Sequence, residues 1–179
     1  MKLTEINVWQ DFVYKVLYPA VLGAMLYEIL KTFSIAALSV VIFYCLDYLH
    51  LHNNLDTDKP ENATIPRLVV DAGIAILFGI ASSRITFEGY GISMGCLLGV
   101  CFLILVYTPP ANLNTFLFNA SNAFLFILVV GIFLFGIHYG ITNDWQMRLL
   151  YPIPTPVYAV HALRITPRIL KESANSGAS

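Results

Sequence analysis

The amino-acid sequence predicts an all-α integral membrane protein, a polytopic bundle of four transmembrane helices. Of its 179 residues, 58% are hydrophobic and only 12% are charged, which is about half the charged share of a typical soluble domain. The mean hydropathy is +0.71. Four apolar runs approach the length of about 20 residues that a helix needs to cross a bilayer. Most of the protein surface is therefore expected to face lipid.

The four predicted spans are separated by short segments that are polar or contain prolines. They cover residues 32–50, 66–83, 90–108 and 116–138. Pro66 begins the second span, where its missing N–H does least harm, and Pro109 follows the third. Residues 1–148 are accordingly interpreted as one membrane-embedded helical bundle.

Residues 7–31 have a different pattern, that of an amphipathic helix. Six polar or tyrosine residues recur at helical spacing along one stripe: Asn7, Gln10, Asp11, Tyr14, Lys15 and Tyr18. The charges of Lys15, Glu28 and Lys31 make a full crossing costly. No turn separates this segment from the first span. We therefore expect a helix lying in the membrane interface and kinked at Pro19, with a fifth span as the alternative.

The distribution of basic residues predicts that both termini are cytoplasmic. Eight of the ten lysines and arginines fall on one side of the four spans, and only Lys59 and Arg67 fall on the other. Residues 51–65 would then form the external loop. Residues 149–179 have prolines at 152, 154, 156 and 167, which predicts a cytoplasmic tail apposed to the membrane, with disordered last residues.

Two aspartates lie inside the predicted spans and are the strongest candidates for a functional site. Asp47 is near the external end of the first span, and Asp71 is near the external end of the second. Ionisable groups at membrane depth are expensive and point to function, so the pair is a candidate ion or proton site. Asn119 and Asn122 of the fourth span lie at a similar depth and complete the candidate site. A structural role remains the alternative, because Arg67 is one helical turn before Asp71.

The third span has a stripe of glycines that predicts close helix packing. Gly91, Gly95 and Gly99 recur every four residues, and Gly79 and Gly136 belong to weaker small-residue patterns on the second and fourth spans. Small residues allow helix backbones to approach closely in lipid. The stripe fits packing within one protomer, or alternatively a self-association surface or pore lining.

The sequence carries little catalytic, cofactor-binding or nucleic-acid-binding signal. We find no nucleophile with an evident base, and no phosphate-binding or dinucleotide-binding loop. The three cysteines have no metal-site spacing. His138 and His161 could act together as haem or metal ligands only if the tail folded back. No catalytic residue, metal or cofactor is therefore assigned, and the net charge of −1 argues against nucleic acid as a partner.

Two function classes follow from these features. The first is a channel or transporter component for a cation, a proton or a small solute, centred on the aspartates. The second is a non-catalytic membrane adaptor that binds a membrane or cytoplasmic protein through its N-terminal helix and its "YPIPTP" segment. A membrane-embedded enzyme is less favoured. The expected partners are the lipid bilayer and further copies of the chain in a homo-oligomer.

Overall fold

The computed structural model describes residues 3–31, 33–57, 65–86, 88–106 and 115–165, and these residues form helices and short connections without a strand. The α-helices are α1 (Leu3–Phe12), α2 (Tyr18–Lys31), α3 (Ile35–Thr57), α4 (Ile65–Ser83), α5 (Tyr90–Val106), α6 (Thr115–Tyr139), α7 (Asp144–Leu150) and α8 (Pro154–Val160). The external loop predicted at 51–65 is wrong for residues 51–57, which continue α3 as a helix. Residues 58–64 of that loop, the end of the predicted third span at 107–108 and the tail beyond residue 165 lie outside the described ranges.

Three helical stretches in the described part of the chain are long and apolar enough to cross a membrane. They are Val8–Lys31, Ile65–Ser83 and Ala120–Tyr139, while Ile35–Leu49 and Tyr90–Val106 are shorter apolar helices. Large apolar side chains such as Leu30 and Ile127 are 85% and 67% exposed, as expected where the solvent is hydrocarbon. The helical fold is confirmed, and three helices, not four, have the length and the apolar composition that a membrane crossing requires.

The N-terminal segment differs from the predicted interfacial helix. Residues Leu3–Lys31, here called the N-terminal helix, run from α1 through a π-helical turn at Val13–Leu17 into α2. In this turn the Tyr18 N–H donates to the Val13 carbonyl, one residue further back than in an α-helix. Pro19 lacks the N–H that would continue regular α-helical bonding, which accounts for the π-helical turn just before it.

The predicted polar stripe of the N-terminal helix is divided between the bundle and its surface. Tyr14 and Tyr18 are buried, whereas Asp11 and Lys15 form an exposed ion pair at 2.8 Å. Two members of the stripe thus face the protein interior, because their hydroxyls find hydrogen-bond partners inside the bundle; the interfacial position of the helix stays a prediction. The stripe therefore contains both buried and solvent-exposed or lipid-exposed residues.

The chain also reverses direction where no turn was predicted. Tyr44 of α3 donates to the Tyr18 carbonyl at 2.8 Å, and Tyr48 donates to the Tyr14 carbonyl at 3.4 Å. Later residues of α3 thus pair with earlier residues of the N-terminal helix, so the two helices are antiparallel. The Ser34 hydroxyl accepts the Ala37 N–H at 3.0 Å and caps the start of α3. A connection of about three residues is sufficient.

Helices α4, α5 and α6 pack successively against one another through small residues. A Cβ atom at Gly99 would lie 3.2 Å from the Leu77 Cδ1 of α4, and one at Gly79 would lie 3.4 Å from a side chain of the N-terminal helix. At Gly136 a Cβ would overlap the Tyr90 ring. These three glycines therefore lie at contacts within the protomer.

The other two glycines of the predicted stripe have more room around them. A Cβ at Gly95 would meet the Phe133 ring at 3.8 Å, an ordinary contact, and one at Gly91 would meet nothing within 4 Å. The five glycines thus do not share one environment, and self-association through the stripe stays a prediction.

The C-terminal segment differs most from its prediction. Gly140, with φ of +70°, ends α6 in the left-handed conformation that glycine adopts readily. After α7 the chain turns back, and α8 packs against α3 and α6. Thr155 donates to the Ser39 carbonyl of α3 at 3.2 Å. The expected surface-lying tail was wrong for residues 151–165, because Tyr151 and Tyr158 are buried in the bundle.

Candidate functional site

Asp47 and Asp71 are both enclosed by the bundle. Their side chains are only 2% and 1% exposed. Asp47 lies on α3 and Asp71 on α4, and both face the N-terminal helix. The Tyr18 hydroxyl connects them, since it lies 3.4 Å from Asp47 Oδ2 and 3.2 Å from the Asp71 main-chain oxygen. The structure thus brings the two predicted aspartates together around one tyrosine.

The carboxyl of Asp71 has a hydroxyl donor and a basic neighbour. The Tyr14 hydroxyl donates to Asp71 Oδ2. Arg67, one turn earlier on α4, interacts electrostatically with the same carboxyl. The Arg67 charge therefore offsets part of the negative charge of Asp71, and a direct ion pair between them stays a prediction.

The carboxyl of Asp47 is surrounded by neutral donors. Tyr158 of α8 donates to Oδ1 at 2.7 Å, and Tyr18 approaches Oδ2 at 3.4 Å. Asp71 adds a like-charged neighbour rather than a counter-ion. We call Tyr14, Tyr18 and Tyr158 the tyrosine shell of the site.

Further aromatic contacts hold the tyrosine shell in position. The Tyr18 ring stacks on Tyr44, with ring centroids 5.4 Å apart, and packs on Tyr48 at 5.5 Å. Phe43 packs on Tyr158 at 4.7 Å. Neighbouring rings on α3 thus hold the Tyr18 and Tyr158 rings in place. Little further side-chain freedom is lost when their hydroxyls form hydrogen bonds.

Comparisons with family models, with curated proteins and with solved structures find no match for this chain. In the described residues no group of three or more histidine, cysteine or acidic side chains is arranged to hold a metal ion.

Of the two predicted asparagines, the one that is described, Asn122, bonds to α5 and not to either carboxyl. Asn122 is buried, and its Nδ2 donates to the Ile104 carbonyl of α5 at 3.4 Å, while its Oδ1 has no hydrogen-bond partner among the described residues. Asn119 belongs to α6, but its side chain lies outside the described part of the structure.

His161 is a buried polar residue that the sequence did not single out for this site. It is 2% exposed and shares a 2.6 Å hydrogen bond between its Nδ1 and the Ser121 hydroxyl of α6. The tail does fold back, as a histidine pair would require, but His138 is exposed and its ring packs on Tyr139.

The tyrosine shell was only partly visible in the sequence. Tyr14 and Tyr18 were noted as members of a polar stripe at i and i+4, which is a signal for a shared face. Tyr158 gave no such signal, because its partner Asp47 is 111 residues away along the chain.

Proposed function

We propose that this chain is a small integral membrane protein of the transport class and that Asp47 and Asp71 form its proton-binding site. The observation that carries the proposal is that two buried aspartates on neighbouring helices meet at the Tyr18 hydroxyl, which contacts the carboxyl of Asp47 and the main-chain oxygen of Asp71. Two adjacent carboxylates cannot both remain charged without compensation. Arg67 offsets one negative charge, so the second carboxyl calls for a proton or a cation.

The hydrogen bonds favour a proton over a metal cation. Tyr158 and Tyr14 each direct an O–H at a carboxyl oxygen. These hydrogens occupy lone pairs that a metal ion would need, whereas a protonated carboxyl keeps an oxygen to accept them. Since Asp71 has Arg67 beside it and the donors to Asp47 in the described part of the chain are neutral tyrosines, Asp47 is the proposed holder of the proton.

The proposed topology has five crossings, with the N-terminal helix as the first. Its antiparallel pairing with α3 and its membrane-crossing length support this arrangement. The N-terminus would then lie on the external side of the membrane, together with residues 51–57 at the end of α3. The four-span prediction placed it on the cytoplasmic side. Lys31, Arg84 and Arg148 would mark the cytoplasmic side.

Cysteine labelling in intact cells tests this topology. A membrane-impermeant maleimide should reach Thr4→Cys and should not reach Asn143→Cys until the membrane is opened, both in a background without the native cysteines. Equal protection of both positions in intact cells would overturn the five-crossing arrangement.

The packing of the chain favours transport over the adaptor alternative. The adaptor hypothesis rested on an apolar, proline-containing tail without an evident role inside the protein. In the structure Tyr158 of this segment bonds to Asp47, and Tyr14 of the N-terminal helix bonds to Asp71. Both segments thus have an intramolecular role at the aspartate pair.

Proton movement in reconstituted vesicles tests the proposed function. Parent protein, Asp47→Asn and Asp71→Asn are compared after a pH jump, with a pH-sensitive dye inside the vesicles. Asp144→Asn is the matched control, because Asp144 is an exposed aspartate paired with Arg148. We expect both site variants to slow dye-reported proton flux about 100-fold, as for loss of a positioned acid–base group. Flux equal to that of the parent and control would remove the assignment.

A further inference from the structure

A chain of four side chains links α6 to the Asp47 carboxyl. The Ser121 hydroxyl of α6 bonds to His161 Nδ1 at 2.6 Å. The His161 ring stacks on Tyr158, with centroids 5.8 Å apart and an interplanar angle of 29°. Tyr158 then donates to Asp47 Oδ1 at 2.7 Å. The chain passes through the C-terminal segment and joins it to two other helices.

His161 lies where it can fix the orientation of the Tyr158 ring. The Tyr158 ring packs on Phe43 of α3, with centroids 4.7 Å apart, and also on the His161 ring. The imidazole cannot easily rotate away, because it is buried and its Nδ1 is held by Ser121. The orientation of the Tyr158 phenol therefore depends on His161 as well as on Phe43.

We infer that His161, held by Ser121, is a positioning residue of the proton site and acts on Asp47 through Tyr158. This inference rests on the proposed function, since it concerns the same carboxyl. His161 fixes the direction of the Tyr158 O–H, and that O–H fixes the carboxyl oxygen that accepts it. Loss of His161 loosens the hydrogen bond at Asp47 without removing either partner.

Infrared spectroscopy of the full chain in lipid nanodiscs tests the inference. The carboxylic C=O band of Asp47 is identified as the band that Asp47→Asn removes. Tyr158→Phe should move this band to higher frequency, because the carboxyl loses a donor. His161→Ala should move it in the same direction, and His161→Phe, which returns a ring to the stack, should restore much of the parent position. His138→Ala, at an exposed histidine, is the matched control and should leave the band in place.

A double variant separates positioning from a general structural effect. In the Tyr158→Phe background, His161→Ala should give no further shift, because the bond that it positions is already gone. An unchanged band in His161→Ala, or an equal shift in both backgrounds, would overturn the inference. Should His161→Ala fail to fold, Ser121→Ala decides the question by itself, with a shift in support and an unmoved band against. A parent spectrum without an Asp47 band would instead overturn the proposed function.

Discussion

Replacing Tyr158 by phenylalanine removes one oxygen atom from the buried site and little else. The ring keeps its contacts with Phe43 and His161, at 4.7 and 5.8 Å between centroids. Asp47 loses its donor at 2.7 Å and, among the described residues, retains the Tyr18 hydroxyl at 3.4 Å. The substitution therefore measures a single hydrogen bond to a carboxyl that is 2% exposed.

The expected loss in free energy of unfolding is about 1 to 3 kcal/mol, the range for leaving a buried acceptor without its partner. For a chain of 150–250 residues this corresponds to a fall in Tm of about 2 to 12 °C. A protonated Asp47 predicts the lower part of the range, because hydrogen bonds to charged groups are the stronger ones. The size of the effect thus also reports the charge state of the carboxyl.

Thermal unfolding in detergent, followed by circular dichroism, provides the assay. Tyr139→Phe is the control, because Tyr139 is 67% exposed and should tolerate the same change. In an Asp47→Leu background the effect of Tyr158→Phe should become much smaller, since the acceptor has gone. If Tyr158→Phe and Tyr139→Phe shift Tm equally, the buried hydrogen bond does not stabilise the bundle.

Three further predictions concern packing and accessibility. Gly136→Ala should destabilise the bundle by about 1 to 3 kcal/mol, because its Cβ would displace the Tyr90 ring. Gly91→Ala meets no neighbour and should be neutral or stabilise the bundle by up to about 1 kcal/mol. Equal Tm values for the two variants would contradict this prediction. Thr155→Val should lower the free energy of unfolding by about 1 kcal/mol through loss of its 3.2 Å bond to α3, and an unchanged denaturation midpoint would argue against that bond. Cys101, which is 1% exposed, should react with maleimide in the folded protein far more slowly than the other two cysteines, as mass spectrometry can measure; equal labelling would place it at the surface.

Some features of the molecule were accessible from local patterns. Helix type follows from runs of apolar residues such as 66–83, because backbone groups in lipid must bond within the segment. The relation between Arg67 and Asp71 follows from helical spacing alone, since residues four apart lie on one face. The spacing of Tyr14 and Tyr18 likewise placed both on one stripe, but it did not reveal which side of that stripe was buried.

Other features depended on contacts between distant parts of the chain. Local patterns are sufficient to predict a helical polypeptide with an apolar surface and two acidic groups inside apolar segments, because each property depends on residues within a few turns of one another. Contacts between distant residues bury one face of the N-terminal helix, return the tail to the bundle and join Tyr158 to Asp47. Those outcomes depend on where unsatisfied hydroxyls and carboxyls find partners in a medium without water, and the partners lie up to 111 residues apart.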